Sequence, residues 1–267
     1  MPASRALTIT PQHVADYKRD GVVCVRGAID RTWINALWAA AQKVAADPAA
    51  YGTISRSQSD TMTSVSFLWR KPGVFRDFIF QSPVAEITAR VIGSQNISIY
   101  HDHLFVKWPE SPRIMRWHAD TLWPVDGEHV PNTYIALTPI DQQNGRVEYL
   151  AGHHKYCLDH GIKYDTVNMC PDFEQRRDNP ELNFVTYDLE PGDAVIFHPL
   201  TPHFSKGNDS KDRPRAGLAT RWFGDDVVWS PAPDRAPIPG VTEMPKGQKP
   251  AGDFFPTIWP NVTAATS

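Results

Sequence analysis

Cysteine is scarce in this chain: Cys24, Cys157 and Cys170 are widely spaced and no C-x-x-C occurs. An odd, dispersed set supports neither a disulfide framework nor a thiolate metal cluster. Charge of one sign is also lacking, with 27 basic against 30 acidic side chains and no block of Lys or Arg. There is thus no excess positive field for a phosphate backbone, and nucleic acid is excluded as the principal partner. No apolar run reaches the roughly 20 residues that span a bilayer, so no membrane partner is expected. The opening MPASRALTITP lacks the apolar centre of a secretion signal, and a cytoplasmic location is expected. Three Asn-x-Ser/Thr patterns, at Asn96, Asn208 and Asn261, are then incidental.

Proline and glycine, by contrast, are scattered too densely for a long helical bundle. The 267 residues are read as one domain in three parts. The first, about 10–95, is read as helical with one early strand, Val22 to Val25. Thr10-Pro11 opens a helix that Gly21 stops, and Asp30 caps a longer one whose apolar residues Ile34, Leu37, Trp38, Ala41, Val44 and Ala45 recur every three or four positions. Ser82-Pro83 opens another, closed by Gly93. Between them, the polar stretch 52–63 is read as a loop. From about 97 to 225 the texture changes to short β-like runs such as ISIYHDHLFVKW, NTYIALTPI, DAVIFH and RAGLATRWF, separated by Pro, Gly, Asp and Asn. The expected fold is mainly β with flanking α-helices, a double-sheet or barrel core. Residues 157–180 read as a long insertion between strands, of the lid or binding-element kind. The Pro-rich tail, 230–267, is expected to wrap over the surface rather than continue a sheet. It could pack against a neighbouring subunit, which keeps a homodimer open.

Among ten histidines the strongest chemical pattern is Trp117-His118-Ala119-Asp120. On a strand, residues i and i+2 share a face, so His118 and Asp120 would offer an imidazole and a carboxylate to one point. His203 lies far downstream, followed by a basic strand. Two imidazoles and one carboxylate on one face of an octahedral ion leave three positions open, the arrangement of non-heme Fe(II) oxygenases. Such an ion can take a chelating α-keto diacid and O2 together. The far carboxylate of that diacid needs a fixed cation, and Arg215 is suitably placed, with Arg213 as its competitor. Arg221 shares the face of Arg215 and could hold substrate or a structural carboxylate.

These blocks, W-H-A-D, N-G-R-V-E-Y-L-A-G-H-H-K from Asn144, P-G-D-A-V-I-F-H from Pro191, and H-F-S-K-G-N-D-S with R-P-R, together resemble the phytanoyl-CoA dioxygenase family of Fe(II)/2-oxoglutarate oxygenases. The likeness runs from about Thr10 to Phe223. It implies a double-stranded β-helix, or jelly roll, with Fe(II) bound by His118, Asp120 and His203, and with 2-oxoglutarate and O2 as co-substrates. Arg215 would bind the oxoglutarate carboxylate and Ser205 would assist. Lys107 resembles a family position near oxoglutarate. The chain departs from the family's usual G-S-H triplet at Gly152-His153-His154, where His153 could alter the substrate pocket. It is also one residue longer between Asn208 and Arg215, which keeps Arg213 as an alternative. Asp120 stands where halogenating relatives have a small residue, so hydroxylation or another hydrogen-abstraction outcome is implied.

The expected activity is oxidation of a small or medium-sized metabolite, of the secondary-metabolism kind, with release of succinate and CO2. Trp123 and Tyr134 are candidate pocket residues, as are Trp117 and Trp222. Arg146 and Glu148, on one strand face, could meet a polar substrate or pair with each other. His101-Asp102-His103 is a second i, i+2 pair, but no Glu follows at the spacing of cupin sites. Two rival readings stand beside this one: a cupin-like metalloenzyme without oxoglutarate, and a non-catalytic β-sandwich binding protein.

Overall fold

The computed structural model describes residues 9–164, 170–241 and 244–260. The Asn261 pattern lies outside them, as do residues 165–169 of the insertion read over 157–180.

The described residues form five α-helices: α1 (Pro11–Asp20), α2 (Arg31–Ala46), α3 (Val74–Gln81), α4 (Val84–Ile92) and α5 (His153–His160). The first two start where their caps dictate. Thr10 Oγ1 accepts from the His13 N–H in a capping box, and Asp30 Oδ1 accepts from the Trp33 N–H at 3.0 Å. Gly21 ends α1 in the left-handed region, with φ of 69°.

The strands are β1 (Val22–Val25), β2 (Thr53–Ile54), β3 (Met62–Ser66), β4 (Ile97–Lys107), β5 (Met115–His118), β6 (Val125–Asp126), β7 (Asn132–Ala136), β8 (Val147–Ala151), β9 (Asn183–Thr186), β10 (Ala194–Phe197), β11 (His203–Ser205), β12 (Arg215–Phe223), β13 (Val228–Trp229) and β14 (Thr257–Trp259). The large antiparallel sheet runs β1-β10-β7-β12-β4-β3-β2, with β14 also on β4. The small one runs β5-β11-β8-β9, and β13 pairs with β6. Strand alternation gives the large sheet two faces. Its outer face, including Ile135, Ile196, Leu104, Val106, Leu218 and Trp222, packs against the helices in the main apolar core. Its inner face looks toward the small sheet, and there Tyr134, Tyr149, Val195, Phe197 and Ala219 form a second core. Two facing antiparallel sheets with helices on one side make a jelly roll.

Three expectations are corrected. The stretch 52–63 is not simply a loop. Ile54 lies in β2, and Met62 and Thr63 begin β3, which pairs in register with β4 from Met62↔Lys107 to Ser66↔His103. All five β3 residues are buried, so no apolar-polar alternation advertises the strand. The tail does return to the sheet, because β14 pairs with β4 and the Ile99 N–H donates to the Pro256 carbonyl at 3.2 Å. Finally, the insertion after β8 starts as a helix, α5. No helix among the described residues is long and apolar enough to cross a membrane.

Candidate active site

His118 ends β5 and His203 begins β11, and these strands are neighbours, so the two histidines are paired directly across the small sheet. Their ring centroids are 4.2 Å apart. Each ring is oriented by its own backbone: His118 Nδ1 donates to the Arg116 carbonyl at 2.7 Å, and His203 Nδ1 to the Thr201 carbonyl at 3.1 Å. A carbonyl only accepts, so Nδ1 carries the proton and each Nε2 keeps its lone pair for a ligand role. Burial, then His118, pushes His203 down to about 3, which keeps its imidazole neutral.

Asp120 reaches the same point by a different route from the one expected. The strand stops at His118, so i, i+2 alternation does not place the carboxylate. Instead the Asp120 N–H donates to the Pro199 carbonyl at 2.9 Å, and Arg221 grips Oδ2 through Nη2 at 2.8 Å and Nε at 3.2 Å. Oδ1 stays 3.9 Å from His118 Nε2. Burial opposes the charge on Asp120, but Arg221, His203 and His118 outweigh it and hold the carboxyl well below the usual carboxylate range. Among the described residues, His118, Asp120 and His203 bring their ligand atoms within 4.8 Å of one another. Two neutral imidazoles and a carboxylate oxygen form a donor set suited to Fe(II).

A cationic end faces this donor set. Arg215 opens β12 and lies in register with Lys107, the last residue of β4. Lys107 Nζ donates to Ser205 Oγ at 2.9 Å and to the Lys206 carbonyl, while Arg215 Nη1 lies 3.4 Å from the same Oγ. Both side chains are buried, and among the described residues neither has a carboxylate partner. Arg215 Nε has no hydrogen-bond partner at all. Burial foremost, then Arg215 and Arg113, pushes the Lys107 amine down to about 6. Both ends open on one inner cavity, walled by Phe105, Tyr134, Tyr149 and Phe197. The Tyr134 ring lies 5.3 Å from the Arg215 guanidinium carbon and crosses over Gly217, where any Cβ would collide with it.

A larger outer cleft meets the inner cavity at Asp120, and its walls include Thr121, Trp123, Val130, Leu158, His198 and Leu200. Trp123 is therefore beside the site, its ring 4.7 Å from that of His101. His101 and His103 do not join the donor set: His101 Nδ1 meets Arg221 Nη1 at 2.8 Å and His103 Nε2 meets Ser64 Oγ at 2.8 Å.

Three other expected site residues lie elsewhere. Arg213 precedes β12 and turns to Asp141 at 2.6 Å and Gln143 at 2.8 Å, away from the cavity. Arg146 pairs with Asp188 at 2.5 Å rather than with Glu148, which is held by Arg177. His153 sits on α5 against Tyr156, Tyr164 and Phe173, and it lines neither cavity. Trp117 packs against Phe173, Phe184 and Phe204, and Trp222 is in the outer-face core. Sequence reasoning missed Gly217 and the contact between His101 and Arg221. The alternation 215-217-219-221, with a glycine between two arginines, was the available signal for the first. Nothing local marked the second, because it depends on the β4–β12 register.

Comparison with solved structures gives the same architecture. The non-heme α-ketoglutarate-dependent carbocyclase SnoK from nogalamycin biosynthesis superposes with a TM-score of 0.77 at 20% identity, over 96% of this chain and 98% of that one. The epimerase SnoN, in complex with Fe3+, α-ketoglutarate and nogalamycin RO, gives 0.73 at 20% identity, over 92% and 97%. EctD from S. alaskensis, with 2-oxoglutarate and 5-hydroxyectoine, gives 0.70 at 17% identity, over 93% and 90%. No curated protein matches the chain in sequence. The family described as phytanoyl-CoA dioxygenase (PhyH) matches residues 17–217, a span that contains both histidines, Asp120 and Arg215, and the chain belongs to that family.

Proposed function

We propose that the protein is an Fe(II)- and 2-oxoglutarate-dependent oxygenase that oxidises a small or medium-sized metabolite at a C–H bond. The observation that carries this reading is buried Arg215, a cation without an acid among the described residues, facing a His-Asp-His donor set across one cavity, with the Lys107 amine and Ser205 hydroxyl beside it. A buried unpaired charge is costly unless a ligand compensates it, and a dicarboxylate that chelates a metal at its other end does so.

Fe(II) and 2-oxoglutarate, when bound, supply O2 activation and hydrogen abstraction, with succinate and CO2 released. The protein's share is positional. His118 and His203 present Nε2 lone pairs fixed by backbone carbonyls, and Asp120 presents Oδ1. Arg215, Lys107 and the Ser205 hydroxyl between them hold the far carboxylate, and Tyr134 closes the wall beside Arg215. The aromatic lining keeps water out and strengthens these contacts. The outer cleft is the proposed place of the substrate, because it meets the donor set at Asp120. Its rim carries Asp126, Glu128 and Asp226 against Lys163, so it does not favour a strongly anionic substrate. Hydroxylation is the proposed outcome, and a product one oxygen heavier than its substrate is the check.

The test is succinate formation from 2-oxoglutarate by the Fe(II)-loaded protein in air, followed by NMR. Slow succinate release is expected without substrate and faster release with it. A folded, iron-loaded protein that makes none, with any of a broad panel of metabolites, would sink the proposal.

A further inference from the structure

Asp120 has two oxygens, and both could close on one metal ion. In this structure only one is free. Arg221, buried on the inner face of β12, places Nη2 at 2.8 Å and Nε at 3.2 Å from the same oxygen, Oδ2, which leaves Oδ1 toward His118. The third corner of the guanidinium is tied down as well: Nη1 lies 2.8 Å from His101 Nδ1. A guanidinium only donates, so His101 Nδ1 must accept. The His101 ring is itself wedged between Phe67 and Trp123, each 4.7 Å away. The β4–β12 register puts Arg221 opposite His101, so the string is built into the large sheet while Asp120 approaches from the small-sheet side.

We infer that Arg221, anchored by His101, is a positioning residue that makes Asp120 a one-oxygen ligand and so keeps three coordination positions open. The inference rests on the metal reading above. A carboxylate bound through both oxygens would fill a fourth position, and a chelating co-substrate and O2 could then no longer bind together. His101 acts through Arg221 and touches neither metal nor substrate.

Mn(II), added to the full-length apoprotein without co-substrate, is the probe, and water-proton relaxation counts the exchangeable waters it retains. The unaltered protein is expected to leave about three on the ion. Arg221→Met frees Oδ2 to close on the metal and should lower the count by about one. His101→Phe removes the acceptor that anchors Nη1 and should shift the count the same way. His101→Asn puts an amide oxygen close to the position of Nδ1 and should restore it. A loss of packing alone would not distinguish Phe from Asn in this readout. If Arg221→Met does not fold, the His101 pair carries the test. An unchanged count in folded Arg221→Met, or His101→Phe matching the unaltered protein, overturns the inference while the metal reading stands. No Mn(II) binding by the unaltered protein overturns both.

Discussion

The two faces of β12 are equally buried and chemically opposite. Outward point Ala216, Leu218, Thr220 and Trp222, all closed from solvent against the helices. Inward point Arg215, Gly217, Ala219 and Arg221, with Lys107, His103 and His101 beside them on β4. Burial of each large apolar side chain outward stabilises the fold by roughly 1.5–3 kcal/mol. Burial inward of a cation without an acid works against it. Nothing about folding calls for Arg215 and Lys107 at these positions, so the difference between the faces separates what holds the protein together from what it is for.

Mutations on the two faces should therefore fail in different ways. The largest effect belongs to the donor set: His118→Ala should abolish oxoglutarate-coupled succinate release, and a variant with full turnover would remove His118 from the metal site. On the outer face, Leu218→Ala leaves a hole in a fully buried position and should cost about 2–5 kcal/mol in chemical denaturation. Its oxoglutarate affinity should stay close to that of the parent. Arg215→Ala, three positions earlier but facing inward, should do the reverse. It loses charge-assisted hydrogen bonds worth about 1.5–3 kcal/mol, roughly a 10- to 100-fold weaker oxoglutarate Kd, while its stability holds or rises. A large loss of stability with unchanged affinity would break the contrast.

A pH series sharpens it further. Lys107 is held down to about 6 in the unliganded protein, and a bound carboxylate would raise it again, so binding takes up a proton between those two values. Oxoglutarate affinity should fall as pH rises above about 6, by at most about tenfold per pH unit for one proton. Lys107→Met should flatten that dependence, as calorimetric titration at several pH values can show. The smallest effect is expected of Arg213→Ala. Its guanidinium pairs with Asp141 at a solvent-exposed surface, so neither stability nor affinity should move measurably.

How much of this could be read from the sequence follows from the same geometry. Caps and period-3.6 apolar residues located α1, α2 and α4 because those signals are local. β3 was missed because every one of its side chains is buried, and a strand hidden on both faces has no alternation. β14 was missed because the prolines around it read as a break, although pairing needs only a few free backbone groups. His118 and His203 could be picked out by residue type, but the strand order that makes them neighbours could not. Arg213 and Arg215 remained rivals because the chain is one residue longer than usual between Asn208 and Arg215. Only the start of β12 at Arg215 turns one inward and leaves the other with Asp141.

Anaerobic absorption spectroscopy of the apoprotein, titrated with Fe(II) and then with 2-oxoglutarate, addresses the central claim most directly. A weak visible charge-transfer band that needs both additions, and that Arg215→Ala shifts to higher oxoglutarate concentration, is the predicted result. Iron binding with no such band at any oxoglutarate concentration would contradict the account.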